Sequence, residues 1–119
     1  KRVAEKSYKG PHLFSKNGVI SFMGERDYWT LLAPGVRLAA EYMTRKGQMV
    51  SFVIRLEKLG EDGAWRLTAR YDTCHGRPHL DVVNERGELV LKRWMEERDI
   101  GAAFQQALLD FKKNHEKHN

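Results

Sequence analysis

The fourteen residues ARYDTCHGRPHLDV, positions 69 to 82, gather Arg70, Tyr71, Asp72, Cys74, His75, Arg77, His79 and Asp81 into one short stretch. Three chemistries fit these residue types. A histidine titrates near neutral pH and can move a proton, while arginines neutralise charge developing on phosphorus. His75 or His79, with Arg55, Arg70 and Arg77 as substrate-binding groups, would supply the parts of a metal-independent ribonuclease needing no cofactor. Asp72 or Asp81 would orient a histidine. Metal binding is the second chemistry, because Asp72, His75, His79 and Asp81 offer the mixed imidazole and carboxylate ligands that suit zinc, manganese or iron. Their spacing matches no standard zinc module, and Pro78 opposes the helix that would align His75 with His79. The third is noncatalytic recognition, with arginines holding phosphates or an acidic partner. A Cys74–His75 nucleophile needs an activating geometry that spacing does not supply. Against all of these stands an ordinary wet sheet face carrying structural ion pairs.

The elements that must position these residues are strands. Val36, Leu38, Ala40 and Tyr42 alternate with polar or small residues, as do Val50, Phe52, Ile54 and Leu56, and again Trp65, Leu67, Ala69 and Tyr71. Each is a period-two pattern. Closing hairpins around residues 44–48, 60–63 and 84–87 sets Tyr42 opposite Val50, Leu56 opposite Leu67 and Val82 opposite Leu89. Apolar residues then meet across every pair, and Glu57 meets Arg66. Residues 34–46 also read as a helix between Pro34 and Gly47, but the strand reading keeps register with the next strand. Asp99 is a plausible N-cap, and Ile100, Ala103, Phe104, Ala107, Leu108 and Phe111 share one face of a C-terminal helix.

The expected fold is α+β, a single domain over residues 1–119: an antiparallel meander of about five strands with the C-terminal helix across one face. Residues 34–119 form the meander and helix. Residues 1–33 form a less legible extension or hairpin, with a turn signal at Asn17-Gly18 and a turn or two of helix over residues 25–32. If the helix covers Phe52, Ile54, Leu67, Tyr71, Leu80 and Leu91, the opposite face displays Arg55, Arg66, Arg70, Asp72, His79, Asp81 and Lys92. His75 and Arg77 then sit in a bent connection set by Gly76 and Pro78.

With 119 residues the chain is long enough for its own core, and one cysteine excludes a disulfide framework and a multi-cysteine zinc site. No apolar run reaches membrane-spanning length, and no signal-peptide pattern is visible, although a start at Lys1 leaves room for a removed leader. A reducing cytoplasm is the expected location. The formal charge of +5 suits a polyanion or an acidic protein. The cations near the end, Lys112, Lys113, His115, Lys117 and His118, serve either a binding patch or the negative end of the helix dipole. The last residues read as a solvated, frayed end.

The segment from Arg70 to Asp81 resembles an Arg-Tyr-Asp-Thr-x-His-Gly-x-x-His-x-Asp string found in a group of small uncharacterised prokaryotic proteins. More loosely, residues 50 to 112 are similar to TumE-like toxins of toxin–antitoxin pairs, with Leu108-Leu109-Asp110-Phe111 in the region of their Leu-x-x-Phe pattern. Pro78 and Asp81 depart from the denser histidine cluster of those toxins. The resemblance implies a cytoplasmic toxin component that acts on RNA, an antitoxin partner that masks its active surface, and roles for Asp72, His75 and His79. A homodimer through an uncovered sheet face or edge is also compatible with the pattern.

Overall fold

The computed structural model describes residues 3–16, 19–73 and 76–118, with side chains from residue 25 onward. Seven strands follow one another in space as in sequence: β1 (Val3–Lys16), β2 (Val19–Ala33), β3 (Val36–Arg45), β4 (Gln48–Leu59), β5 (Trp65–Asp72), β6 (His79–Val83) and β7 (Leu89–Trp94). Every neighbouring pair is antiparallel. Among the described residues one α-helix, α1 (Ile100–Asn114), packs against the sheet, chiefly over β4. The fold is therefore the expected α+β meander with a C-terminal helix. Its sheet is longer than about five strands because residues before 34 contribute two of their own. The Asn17-Gly18 turn lies outside the described residues.

Residues 25–32 are strand, and the expected helical turns are absent there. Both edges of β2 are paired, with β1 on one side and β3 on the other, and Tyr28, Trp29 and Thr30 suit a pleated surface. Residues 36–45 are likewise strand. Pro34-Gly35 forms the turn into β3, with Gly35 at φ 72°, in the Pro–Gly order of a type II turn. Lys46 (φ 54°) and Gly47 (φ 78°) link Arg45 to Gln48 as a two-residue hairpin turn. Positive φ at both central positions is the type I′ geometry that matches strand twist.

The three hairpin registers differ from expectation by two residues each. Tyr42 pairs with Phe52, Leu56 with Ala69, and Val82 with Leu91. Tighter turns and an extra residue in each hairpin, at Val50, Thr68 and Val90, account for the offset. A shift of two preserves facing, so the expected core face is retained where β4, β5 and β6 run uninterrupted. Beyond a bulge it inverts. Leu67 now lies opposite Glu57 and Arg66 opposite Lys58. Val50, the extra residue of its hairpin, is exposed, and so is Leu91, which keeps its facing opposite Val82. The expected Glu57–Arg66 pair is replaced by Arg37, whose Nε donates to Glu57 Oε1 at 2.7 Å. Arg37 lies 4.3 Å from the Trp65 ring centre.

The core joins Leu38, Ala40, Phe52, Ile54, Leu56, Ala69, Tyr71 and Leu80 to Ala103, Phe104, Ala107, Leu108 and Phe111 of α1. Phe104 meets Phe52 and Tyr42 edge-on, with ring centres 5.4 and 5.3 Å apart. Asp99 caps the helix, its side chain accepting from Ala102 N at 2.9 Å. At the other end the chain tightens into a 3-10 turn (His115–His118) rather than fraying. His118 Nε2 lies 3.0 Å from Asp110 Oδ2, and its ring packs against Phe111. Tyr71 also reaches Asp110, donating its hydroxyl proton to Oδ2 at 2.7 Å, so one carboxylate ties sheet, helix and tail together.

Phe111→Ala should destabilise the protein by roughly 3–5 kcal/mol, as expected for an aromatic removed from a closed core. Leu91→Ala, at a position expected to be core but found exposed, should change stability by no more than about 0.5 kcal/mol. Urea denaturation of both variants checks the pair.

Candidate functional site

On the face away from α1, strand pairing lays side chains out in rows. One row runs Ala39, Arg55, Arg70, Asp81, Lys92 across β3 to β7. The next runs Glu41, Val53, Asp72, His79, Trp94. Sheet alternation thus suffices to bring Arg55, Arg70, Asp72, His79 and Asp81 together from three strands. The expected register would have set Thr68 opposite Arg55. The two-residue offset instead opposes Arg55 directly to Arg70.

Asp72, His79 and Asp81 are buried, with 6 %, 2 % and 4 % of their surface exposed. His79 Nε2 lies 3.2 Å from Asp72 Oδ1 and 3.4 Å from Asp81 Oδ2. Its Nδ1 lies 3.2 Å from the Arg77 carbonyl oxygen. A carbonyl only accepts, so Nδ1 carries a proton and Nε2 is the nitrogen turned toward the two carboxylates. The imidazole packs edge-on against Trp94, ring centres 5.0 Å apart. The carboxylates also hold cations. Arg70 Nε is 2.9 Å from Asp72 Oδ2, its Nη2 donates to Asp81 Oδ2 at 3.1 Å, and Lys92 Nζ is 2.9 Å from Asp81 Oδ1. Burial pushes the Asp81 carboxyl upward. Hydrogen bonds from Lys92 and Arg70, with the neighbouring charges of His79 and Lys92, outweigh burial and hold it below the usual carboxylate range.

Local chain geometry fixes this cluster at both ends. Thr73 closes β5 onto β4: its Oγ1 accepts from Phe52 N at 3.1 Å, and its backbone N donates to Phe52 O at 3.2 Å. Gly76 N then donates to Thr73 O at 2.8 Å, beginning the turn that leads through buried Pro78 into β6. Met95 N donates to Pro78 O at 3.0 Å, so the strand after the turn is also held.

The other expected site residues fall elsewhere. Arg77 stays clear of the Arg55–Arg70 row: its guanidinium lies over Trp94 at 5.3 Å, and Nη2 reaches Met95 O at 3.5 Å. Its contribution to the cluster is its backbone carbonyl. Arg66 is turned to the helix face by the bulge at Thr68, where it lines a hollow with Lys117 and His118. Tyr71 belongs to the core, and burial, then its hydrogen bond to Asp110, raises its pKa. Cys74 and His75 lie outside the described residues. Trp94 and Thr73 were not expected at the site. Thr73 stands as a fixed position of the Arg-Tyr-Asp-Thr string without its role being legible, and Trp94 is detectable once β6 and β7 are paired.

Beside the cluster lies a cleft of about 610 Å³, lined by Arg26, Glu41, Arg55, Arg70, Asp72 and Thr73 among others. Asp72 and Arg70 therefore belong both to the buried cluster and to the open cleft. The side chains of Arg55, Arg70 and Lys92 are 35 %, 38 % and 39 % exposed, so a ligand can reach the cations while the carboxylates beneath stay covered. Among the described residues, no helix is long and apolar enough to cross a membrane.

Residues 23–119 match the family described as Domain of unknown function (DUF7718), and the chain belongs to that family. No curated protein and no solved structure matches it.

Because its folded-state pKa is depressed, Asp81 contributes stability that is present above the unfolded carboxyl value of about 3.9 and is lost as pH falls through the lower folded value. Asp81→Asn should be less stable than the parent at pH 7 and lose less stability on acidification. Thermal melts between about pH 5 and pH 2 test this. Parallel pH profiles for parent and variant would contradict the assignment.

Proposed function

We propose that this DUF7718 protein is a toxin-like component that acts on RNA, in the cytoplasm, through the polar face of its sheet. The observation supporting this reading is the direct opposition of Arg55 and Arg70. Like charges facing each other across a strand pair disfavour the sheet. Glu57 Oε2 lies 3.4 Å from Arg55 Nε, and Asp72 and Asp81 hold Arg70, so carboxylates flank both guanidinium groups. A phosphate received between the two guanidinium groups turns the repulsion into charge-assisted hydrogen bonding. The sequence carries the same preference further. Strand β1 carries Lys6, Lys9 and Lys16 against the single acid Glu5. A basic strand suits a nucleic-acid backbone.

In this reading Arg55 and Arg70 hold a phosphodiester at the cleft, and the Asp72–His79–Asp81 cluster supplies the reacting chemistry beside it. Hydrolysis breaks one P–O bond, joins the oxygen of water to phosphorus and returns a proton to the leaving oxygen. An antitoxin protein would act by covering the same face. A second reading, a noncatalytic RNA- or protein-binding module on this surface, is favoured by the near-complete burial of His79.

Arg55→Ala should weaken binding of a labelled single-stranded RNA about tenfold, and Arg55→Glu more. Both should flatten the dependence of binding on salt. Fluorescence anisotropy in chelator-containing buffer measures both effects, and unchanged binding in both variants would sink the RNA reading. Cleavage of the same RNA, followed with and without a divalent salt, separates enzyme from module. Loss of cleavage in His79→Gln with binding retained supports hydrolysis, and parent protein that binds without cutting supports the module.

A further inference from the structure

We propose that Asp72, His79 and Asp81 form a binding site for a divalent transition-metal ion, with Zn2+ the best-matched cation. Asp72 Oδ1, Asp81 Oδ2 and His79 Nε2 are the ligand atoms, supplied by the facing strands β5 and β6. The histidine carries the inference. Its Nδ1 proton is committed to the Arg77 carbonyl, so Nε2 is the nitrogen that would offer its lone pair to a metal ion, giving up any proton it carries. That nitrogen is directed at two carboxylate oxygens, in a position 98 % withdrawn from solvent. Such a convergence is reconciled by a proton on Nε2 or by a metal ion in its place, and two carboxylates beside one imidazole nitrogen form a ligand set for a divalent ion. Pinning the far ring nitrogen to a backbone carbonyl is also how proteins fix the tautomer and ring orientation of a metal-ligating histidine.

The spacing agrees with the ion. Around a tetrahedral centre with bonds of about 2.0 Å, neighbouring ligand atoms lie about 3.3 Å apart. The two separations from His79 Nε2 are 3.2 and 3.4 Å, and one ligand atom from each of the three residues lies within 4.8 Å of the others, so binding draws the two carboxylates slightly closer. Arg70 and Lys92 do not block the site. Arg70 Nε engages Asp72 Oδ2 and Lys92 engages Asp81 Oδ1, which are the oxygens turned away from the histidine. Arg70 Nη2 shares Asp81 Oδ2 with the ion by using its second lone pair. These cations then act as the outer partners that orient ligating carboxylates.

With three protein ligands the ion keeps one open position, as catalytic zinc sites do. Two carboxylates facing a divalent ion, Arg70 and Lys92 leave excess positive charge, so the fourth ligand is expected to be an anion such as a phosphate oxygen or hydroxide. The existence of the site does not depend on RNA, and only its part in cleavage rests on the proposed function.

The test uses the untagged full chain, freed of metal by chelator dialysis and titrated with Zn2+ in a calorimeter and with Co2+ by visible absorption. The expected result is one equivalent bound, an intense tetrahedral Co2+ band, and affinity lower by at least about 100-fold in Asp72→Asn and His79→Gln. A His115→Asn/His118→Asn variant should bind like the parent. Nitrogen-15 shifts of the histidines in the parent protein provide a check that needs no variant: Zn2+ should move His79 Nε2 and leave Nδ1 protonated. Failure of the parent to bind either ion, binding indifferent to Asp72 and His79, or a His79 Nε2 signal unmoved by Zn2+ would each overturn the proposal. RNA binding measured in chelator fails or survives separately.

Discussion

An imidazole has two nitrogens, and in this protein one of them is already committed. Because His79 Nδ1 donates to the Arg77 carbonyl, everything around the ring must answer to an Nε2 turned toward Asp72 and Asp81. The Gly76–Pro78 turn places that carbonyl, and pairing of β5 with β6 places both carboxylates. Trp94 holds the ring from β7. Two buried carboxylates in turn demand positive partners, and Arg70 and Lys92 supply them from the adjoining strands. The exposed charge of the face is thus arranged by the covered charge beneath it.

Facing was legible in the sequence because it depends only on parity. Alternation along β3, β4 and β5 identifies which residues share a side, and an error of two positions leaves the answer unchanged. Ala69, Tyr71 and Leu80 therefore fall in the core as expected, with Arg70, Asp72, His79 and Asp81 opposite. Register was not legible, since it depends on turns and bulges. Lys46 in a left-handed conformation and the extra residues at Val50, Thr68 and Val90 carry no compositional mark. The consequences concentrate at strand ends, where Arg66 and Leu67 exchange faces. The helix was legible from cap to apolar stripe, but not the return of His118 onto Asp110, a contact between groups eight residues apart.

At the site, sequence indicated the cluster and structure determined its relations. That His79 lies between two aspartates follows from pairing Asp72 with His79. The opposition of Arg55 to Arg70 needed the true register. Arg77, grouped by composition with the phosphate-holding arginines, contributes a main-chain oxygen and packs its side chain on Trp94. A side chain's type suggests its chemistry, but direction decides whether that chemistry reaches the site.

Because the seven strands lie side by side in the order they are synthesised, no described segment threads between two others. Each new hairpin is laid against an edge already formed, and the loop to be closed is always short. Among the described residues the first strand pairs with its successor alone, and it lies wholly ahead of residue 23, where the shared family sequence begins. Such an architecture can gain or shed a strand at that margin over evolutionary time while β5 and β6, which hold the histidine and its carboxylates, stay in place.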